Sequence, residues 1–342
     1  MMRRLTLLFA FFGLALPLCA ADGYPGATWG RVTSLKEAGW SAQKLQAARE
    51  FSSTIGAQAV MIVEDGLVVS EWGNISEKMW IRSARKSYLS ALYGIYVEEG
   101  RIRLSKTLAE LGIDDNPPSL TAEEKRATIE DLLKARSGVY HAALEETATM
   151  ETKRPERGSH PHGTFWFYNN WDFNALGTIF EQETGKKIFE EIKDRLAVPL
   201  QMEDFQVADG RYDTGPNSIH RGSLMRMTAR DMARFGLLYM HEGTWRGKQI
   251  LPRDWVRRSV TSYSSAGKDG GYGYLWWVAV RGRLFSNVTL DDGSFAAEGN
   301  AGNYIVVIPA RKLVVVSRGG KNGARAEFGQ LLAMILEAKT PR

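Results

Sequence analysis

Ser83 and Lys86 stand three residues apart at the head of an apolar stretch, a spacing that sets both on one face of a helix and lets the amine reach the hydroxyl. A serine hydroxyl attacks a carbonyl only once a base takes its proton. A lysine serves as that base only where burial or a neighbouring cation pulls it below its usual value of about 10.4. The first turn of a helix adds a backbone N–H and the positive end of the dipole beside the oxygen that would become anionic. The same Ser-x-x-Lys spacing recurs at Ser41 with Lys44 and at Ser265 with Lys268. Context separates the three. Ser41 opens an ordinary amphipathic helix and Ser265 lies in a Gly-rich loop, whereas the helix after Ser83 is apolar nearly all round, so its lysine is expected to be buried.

Tyr168 and Asn170 form a second polar pair, in Phe167-Tyr168-Asn169-Asn170-Trp171, just ahead of an expected helix. A phenol beside Lys86 could share the proton and pass it to a leaving group, and an amide could hold the lysine and a substrate carbonyl. Taken alone, aromatic packing and an Asn cap account for the same residues. A third segment, Glu298 to Tyr304, precedes a strand; its glycines permit close approach to the backbone, and the Asn303 N–H could serve as a second oxyanion donor, although a turn explains it equally. Trp166, Trp171, Tyr272, Tyr274, Trp276 and Trp277 could wall a cleft or fill a core.

Other chemistries find little support. No Gly-x-Ser-x-Gly occurs, and His141, His160, His162, His220 and His241 sit in no recognisable catalytic setting. His160 and His162 lie in a polar, Pro-containing loop that reads as solvated rather than metal-binding. P-loop and Cys-x-x-Cys signals are absent, so neither a metal nor a cofactor is expected.

The elements that must hold these residues can be traced along the chain. Ser41 to Phe51 reads as a capped helix, and Gln58–Val63 with Leu67–Trp72 as a hairpin closed by Asp65-Gly66. The apolar helix runs from Ser83 to Glu99 and stops at Gly100. Residues 101 to 262 read as mainly helical, with helices at Thr128–Ala135, Trp171–Glu183, Lys187–Leu196 and Thr228–His241, and with a polar loop from Leu144 to Gly163 at the edge of the cleft. Strands are expected at Tyr272–Val280, Ser294–Ala297, Tyr304–Ile308 and Leu313–Ser317, then a closing helix from Ala326 to Ala338. The fold class expected is α+β: an antiparallel sheet of about five strands formed by both chain ends, flanked by helices, with an inserted mainly helical subdomain. One domain from 22 to 342 results, its α/β part at about 40–100 and 263–342 and its helical part at about 101–262.

Composition bounds the rest. The chain has 342 residues, 44% hydrophobic and 24% charged, which excludes disorder, collagen and coiled coil as whole-chain readings. A net charge of +5 includes Arg3 and Arg4, no run of five or six like charges occurs, and nucleic acid is not an expected partner. Met1 to Ala21 has the layout of a secretory leader: two arginines, an apolar stretch from Leu5 to Leu18, then Cys19, Ala20 and Ala21. The protein is expected to be exported, periplasmic or secreted, and soluble when mature. Cys19 is the one cysteine, so no intrachain disulfide can form. It could carry a lipid anchor, but Leu18 precedes it where lipoprotein signals usually place a small residue.

Ser83–Ile102, Leu132–Gly138, Phe167–Gly177, Thr228–Leu238, Tyr272–Trp277 and Gly299–Pro309, taken in order, resemble the serine β-lactamase and D-alanyl-D-alanine carboxypeptidase superfamily, especially its esterase and 6-aminohexanoate-dimer hydrolase branch. The resemblance covers nearly all of the mature chain. It implies Ser83 as acyl-accepting nucleophile, Lys86 as proton acceptor, Tyr168 as general acid and base, and Asn170 as a positioning group. The oxyanion donors it implies are the N–H groups of Ser83 and Asn303. At the head of the third motif, where many relatives carry Lys or His, this chain has Asn300, with Gly302 keeping the glycine. That departure removes a cation for a substrate carboxylate, so neutral esters or amides are expected ahead of β-lactams or D-Ala peptides. The alternative expectation is a non-catalytic ligand-binding or sensor protein on the same fold.

Overall fold

The structure, a computed structural model, describes residues 23 to 340. The leader reading and Cys19 lie outside the described residues. Helix α1 (Ala42–Thr54) starts where the Ser41 hydroxyl accepts the Lys44 N–H at 3.3 Å. The hairpin β1 (Ala59–Glu64) and β2 (Leu67–Gly73) turns at Asp65 and Gly66, both at positive φ (49° and 79°), which is the tight turn that a right-twisted two-strand ribbon favours. After β3 (Met79–Trp80), a 3-10 turn, Arg82–Ala84, runs straight into α2 (Arg85–Glu98). Residues 85 to 96 of α2 are all buried, so the helix lies inside the molecule rather than on a face of it.

The middle of the chain supplies α3 (Ile129–Leu133), α4 (Ala148–Lys153), α5 (Asn170–Thr184) and α6 (Ile188–Glu191), the last continuing as a π-helical turn through Ala197. Thr128 and Asp131 close a full capping box at α3. The expectation of a mainly helical insert needs one correction. β4 (Gly210–Gly215) and β5 (Ser218–Met227) form a hairpin, joined by β3 into a three-stranded antiparallel sheet in the order β3-β5-β4. Ser218, His220, Gly222 and Leu224 alternate inward along β5, the period of a half-buried strand. Helix α7 (Ala229–Met240) follows, capped by Thr228. Thr228 and Asp231 have capping-box spacing but form half of the box: the Thr228 hydroxyl accepts the Asp231 N–H at 3.2 Å, while the Asp231 carboxylate turns away to accept the N–H groups of Glu203, Asp204 and Phe205 at 2.7, 3.0 and 2.9 Å.

A small hairpin, β6 (Thr244–Trp245) with β7 (Lys248–Gln249), and α8 (Arg253–Ser259) lead to β8 (Ser264–Ser265), β9 (Gly271–Tyr272), β10 (Trp277–Val278), β11 (Phe295–Gly299), β12 (Asn303–Ile308), β13 (Leu313–Arg318) and α9 (Arg325–Glu337). The main sheet is antiparallel, in the order β2-β1-β13-β12-β11-β10-β9-β8: the five longer strands come from both ends of the chain, and three two-residue strands extend the β11 edge. The single strand expected at Tyr272–Val280 is in fact two, β9 and β10, folded back on each other. Leu275 at φ 62° reverses the chain, and the Gly273 N–H donates to the Trp276 carbonyl at 2.8 Å. The fully buried Tyr274 and Trp276 rings anchor that reversal, which a flat strand could not reach.

Side chains alternate between two cores across the sheet. Met61, Val63, Ile305, Val307, Val314 and Val316 face α2, α5 and α7; Val60, Ile62, Val306, Ile308 and Val315 face α1 and α9. Each fully buried aliphatic side chain contributes about 1.5–3 kcal/mol, so both layers hold the sheet strongly. No helix among the described residues is long and apolar enough to cross a membrane.

Candidate active site

Three segments meet at the N-terminal end of α2. The 3-10 turn that carries Ser83 is tied to β5 by the Ile81 N–H donating to the Met225 carbonyl at 3.2 Å. Arg82, just before the serine, sits at φ 52°, a left-handed conformation costing of order 1–3 kcal/mol for a residue with a side chain. The turn thereby leaves Ser83 partly exposed while Ala84, Arg85 and Lys86 are buried. On the far side lies β11, where a Cβ on Gly299 would fall 2.1 Å from the Ile81 carbonyl oxygen and 3.1 Å from the Ala84 nitrogen. Only glycine allows that approach.

The Lys86 amine lies 3.0 Å from the Ser83 Oγ, 2.8 Å from the Tyr168 hydroxyl and 2.8 Å from the Asn170 Oδ1. It also stands 4.4 and 4.3 Å from the ring centroids of Tyr168 and Phe173. No carboxylate pairs with it among the described residues. Burial, and secondly the Arg85 charge, hold the amine well below its ordinary range, against a smaller upward pull from Glu145. Tyr168 is pushed up to about 12, by burial above all, against its bond with Ser83 and the Arg85 charge. The two shifts act together: the amine gives up its proton more readily than a free lysine and so can accept one from the serine, and the phenol keeps one to give.

Helix α5 sets Tyr168 and Asn170. Asn169 is its cap, accepting the Trp171 N–H at 3.2 Å while its own amide donates to the Val139 carbonyl and to Asp172. Asn170, the first helical residue, accepts from Lys86 and donates to the Glu145 carbonyl at 2.5 Å, so the start of the 144–163 loop does border the site. Behind them Asp172 is fully buried; desolvation drives its carboxyl well above the usual range, and Ser137 donates to it at 2.5 Å. Asp172, Ser137 and Asn169 were not expected as support for the site. The one signal for them was polarity at segments already picked out, Leu132–Gly138 and Phe167–Gly177. Ser87, one residue past the lysine, donates to the Leu275 carbonyl at 2.9 Å and locks α2 to the β9–β10 reversal.

The aromatics divide. Tyr168 packs beside Trp277 (5.4 Å between centroids), Tyr272 and Phe173, and Trp166 contacts both Tyr272 and Trp277. The Arg325 guanidinium, bonded to Glu298, lies over the Trp277 ring. Trp171, Tyr274 and Trp276 belong to the core: Trp171 donates to Asp115 at 2.7 Å, and Trp276 packs among Phe235, Tyr239 and Phe295.

In the third segment the placement differs from the expected register. Asn300 and Gly302 lie in the β11–β12 turn, with Gly302 at φ 73° against the Gly319 carbonyl. The Asn303 side chain is spent within the turn, donating to the Asn300 carbonyl at 2.7 Å and accepting from Arg318 at 3.2 Å. The glycine packed on the serine's own turn is Gly299, three residues earlier than Gly302. Of the histidines, His160 stacks on Phe165 and His162 bonds to Asp131 at 3.0 Å.

The profile of the Beta-lactamase family matches residues 42–319. An uncharacterized protein of Alkalihalophilus pseudofirmus is 23% identical over 311 residues, covering 81% of this chain and 87% of that one. Among solved structures, a protein of Bacillus anthracis provisionally designated a 6-aminohexanoate-dimer hydrolase superposes with a TM-score of 0.65 at 23% identity, over 86% of this chain and 83% of its own. A beta-lactamase of Mycobacterium bovis does so with a TM-score of 0.61 at 19% identity, over 85% and 99%. At such identities these structures establish the fold.

Proposed function

This chain belongs to the Beta-lactamase family, and from that premise we propose that it is a serine hydrolase which cleaves a neutral ester or amide through an acyl-enzyme on Ser83. The observation that carries the reading is the Lys86 amine, buried with no counter-ion among the described residues, and within 3.0 Å of the Ser83 hydroxyl and 2.8 Å of the Tyr168 phenol. As the Ser83 Oγ bonds to the substrate carbonyl carbon, its proton passes to Lys86. The oxyanion formed is met by the Ser83 N–H at the head of α2 and by a backbone N–H of the segment after Gly299. Tyr168 gives its proton to the departing alcohol or amine as the bond from the carbonyl carbon breaks, and is reprotonated by Lys86 across their 2.8 Å contact. Water then attacks the acyl-enzyme, its proton leaves by the same groups, and Ser83 is restored. Asn170 holds the amine in place throughout.

The neutral-substrate preference rests on the third segment, residues 295–304, which holds no lysine or histidine in either register, and on the Trp166 and Trp277 wall. A fluorophosphonate is expected to label the wild type and not Ser83→Ala, and short-chain nitrophenyl esters are expected to turn over faster than a chromogenic cephalosporin. Faster cephalosporin turnover reverses the substrate ranking; no labelling and no turnover favours a ligand-binding protein of the same fold. Export belongs to the proposal as well, and N-terminal sequencing of protein from the cell envelope and medium tests it, with cleavage expected near Ala21.

A further inference from the structure

Arg85 lies between the serine and the lysine in sequence, on the same first turn, and is 6% exposed. Its one hydrogen bond is long, from Nη1 to the Arg82 carbonyl at 3.5 Å, and its Nε has no partner. No carboxylate comes within ion-pair distance of it among the described residues. A buried guanidinium in this state is costly and needs a reason. Lys86, the next residue, likewise has only a hydroxyl, a phenol and an amide oxygen around its amine. Two adjacent buried cations without a counter-ion cannot both stay charged cheaply. A guanidinium holds its proton at about 12.5 or above and an ammonium only at about 10.4, so the amine yields first.

We propose that Arg85 is a positioning residue for the reaction, a fixed charge whose repulsion keeps Lys86 in the neutral form that can accept the serine proton. The proposal rests on the hydrolase reading above and names the group that arms its base. The other charged and titratable groups near the pair are Tyr168, Arg82 on the serine's turn, Glu145 from the loop after Leu144, and Asp213 from β4. Glu145 and Asp213 are hydrogen-bonded to each other, which favours a shared proton and weakens their opposing field. Glu298, near Tyr168, is already bonded to Arg325. Arg85, the adjacent residue and without a carboxylate in ion-pair distance among the described residues, is therefore left to act on Lys86.

The test is the pH dependence of kcat/KM for a nitrophenyl ester, and of the fluorophosphonate labelling rate, in the wild type, Arg85→Gln, Arg85→Lys and Glu145→Gln. Arg85→Gln is expected to move the acid limb up by about one pH unit, a roughly tenfold loss below the limb that is recovered at high pH. Arg85→Lys keeps a cation and should move it less. Glu145→Gln removes a weakened opposing charge from an exposed position and should move it little, and in the other direction. An unmoved limb in Arg85→Gln, with equal loss at every pH, means a packing role and overturns the proposal. If Arg85→Gln fails to fold, Arg85→Met, which keeps the buried stem and removes the charge, takes its place: a limb that stays or falls overturns the proposal. Failure of the wild type to label on Ser83 is a separate outcome, which removes the hydrolase reading itself and this inference with it.

Discussion

The two faces of the main sheet are built from similar strands but obey different rules. Against α1 and α9 the buried side chains are almost wholly apolar, Val60, Ile62, Val306, Val315, Leu331, Leu332 and Ile335 among them. Ser52, a buried polar group there, is satisfied: it donates to the Arg49 carbonyl at 2.6 Å and accepts the Trp72 indole N–H at 2.8 Å. The face that meets α2 and α5 buries Arg85, Lys86, Ser87, Ser90, Asn169, Asn170 and Asp172, several of them charged in water and two of them cations without a carboxylate. One face is arranged for stability. On the other, stability is given up locally, and the groups that give it up surround the serine.

The sharpest way to test that division is to substitute one residue on each side. Ser83→Ala should lower ester turnover by about 10³-fold or more while leaving the melting temperature near that of the wild type, since a partly exposed hydroxyl is lost. Retention of turnover would place the chemistry elsewhere. Tyr168→Phe removes a single oxygen that Lys86 contacts and should cost about 10²–10⁴-fold in kcat, by loss of proton transfer to the leaving group. The effect should shrink for esters with very acidic leaving groups; equal losses for good and poor leaving groups would argue against the phenol as acid. On the opposite face, Ile335→Ala, at a fully buried position of α9, should cost about 2–5 kcal/mol of stability in denaturant titration. Turnover per folded molecule should not change. A fall in turnover with stability intact would show the two faces to be coupled rather than separate.

How much of this was legible beforehand varies from residue to residue. Ser83, Lys86 and Tyr168 could be picked out because helical spacing and an all-apolar helix impose their environment, and the structure brings the three together. The third segment was harder. Gly299 and Gly302 look alike in sequence, and only the 2.1 Å approach of a Gly299 Cβ to the Ile81 carbonyl separates them, a long-range contact no local pattern encodes. Asp172 reads as an ordinary acidic residue in the first turn of a helix; its burial depends on Ser137, thirty-five positions away. The β4–β5 hairpin was missed because β5 alternates in burial and not in hydropathy, with Ser218, His220 and Gly222 inward and Ile219 outward, and because helices on both sides in sequence suggested continuity. Elements set by local period were readable. Those set by packing partners were not.

The smallest expected effect tests the division most directly, because it asks whether the lysine destabilises the fold that uses it. A lysine held below its unfolded value is bound by fewer protons in the folded chain than in the unfolded one. Its burden on stability is therefore full at pH below the folded value, shrinks as pH rises through the window between the folded and unfolded values, and vanishes above about 10.4. Lys86→Met removes the titration altogether. The variant also loses three hydrogen bonds, but that cost does not depend on pH in the same window. Thermal melts across pH should show the stability difference, variant minus wild type, at its most favourable to the variant at the acid end of the range and declining as pH rises toward about 10.4, in a protein that no longer turns over ester. A difference that stays flat with pH would mean the amine is charged in the fold after all, and the base assigned to Ser83 would have to be sought in Tyr168.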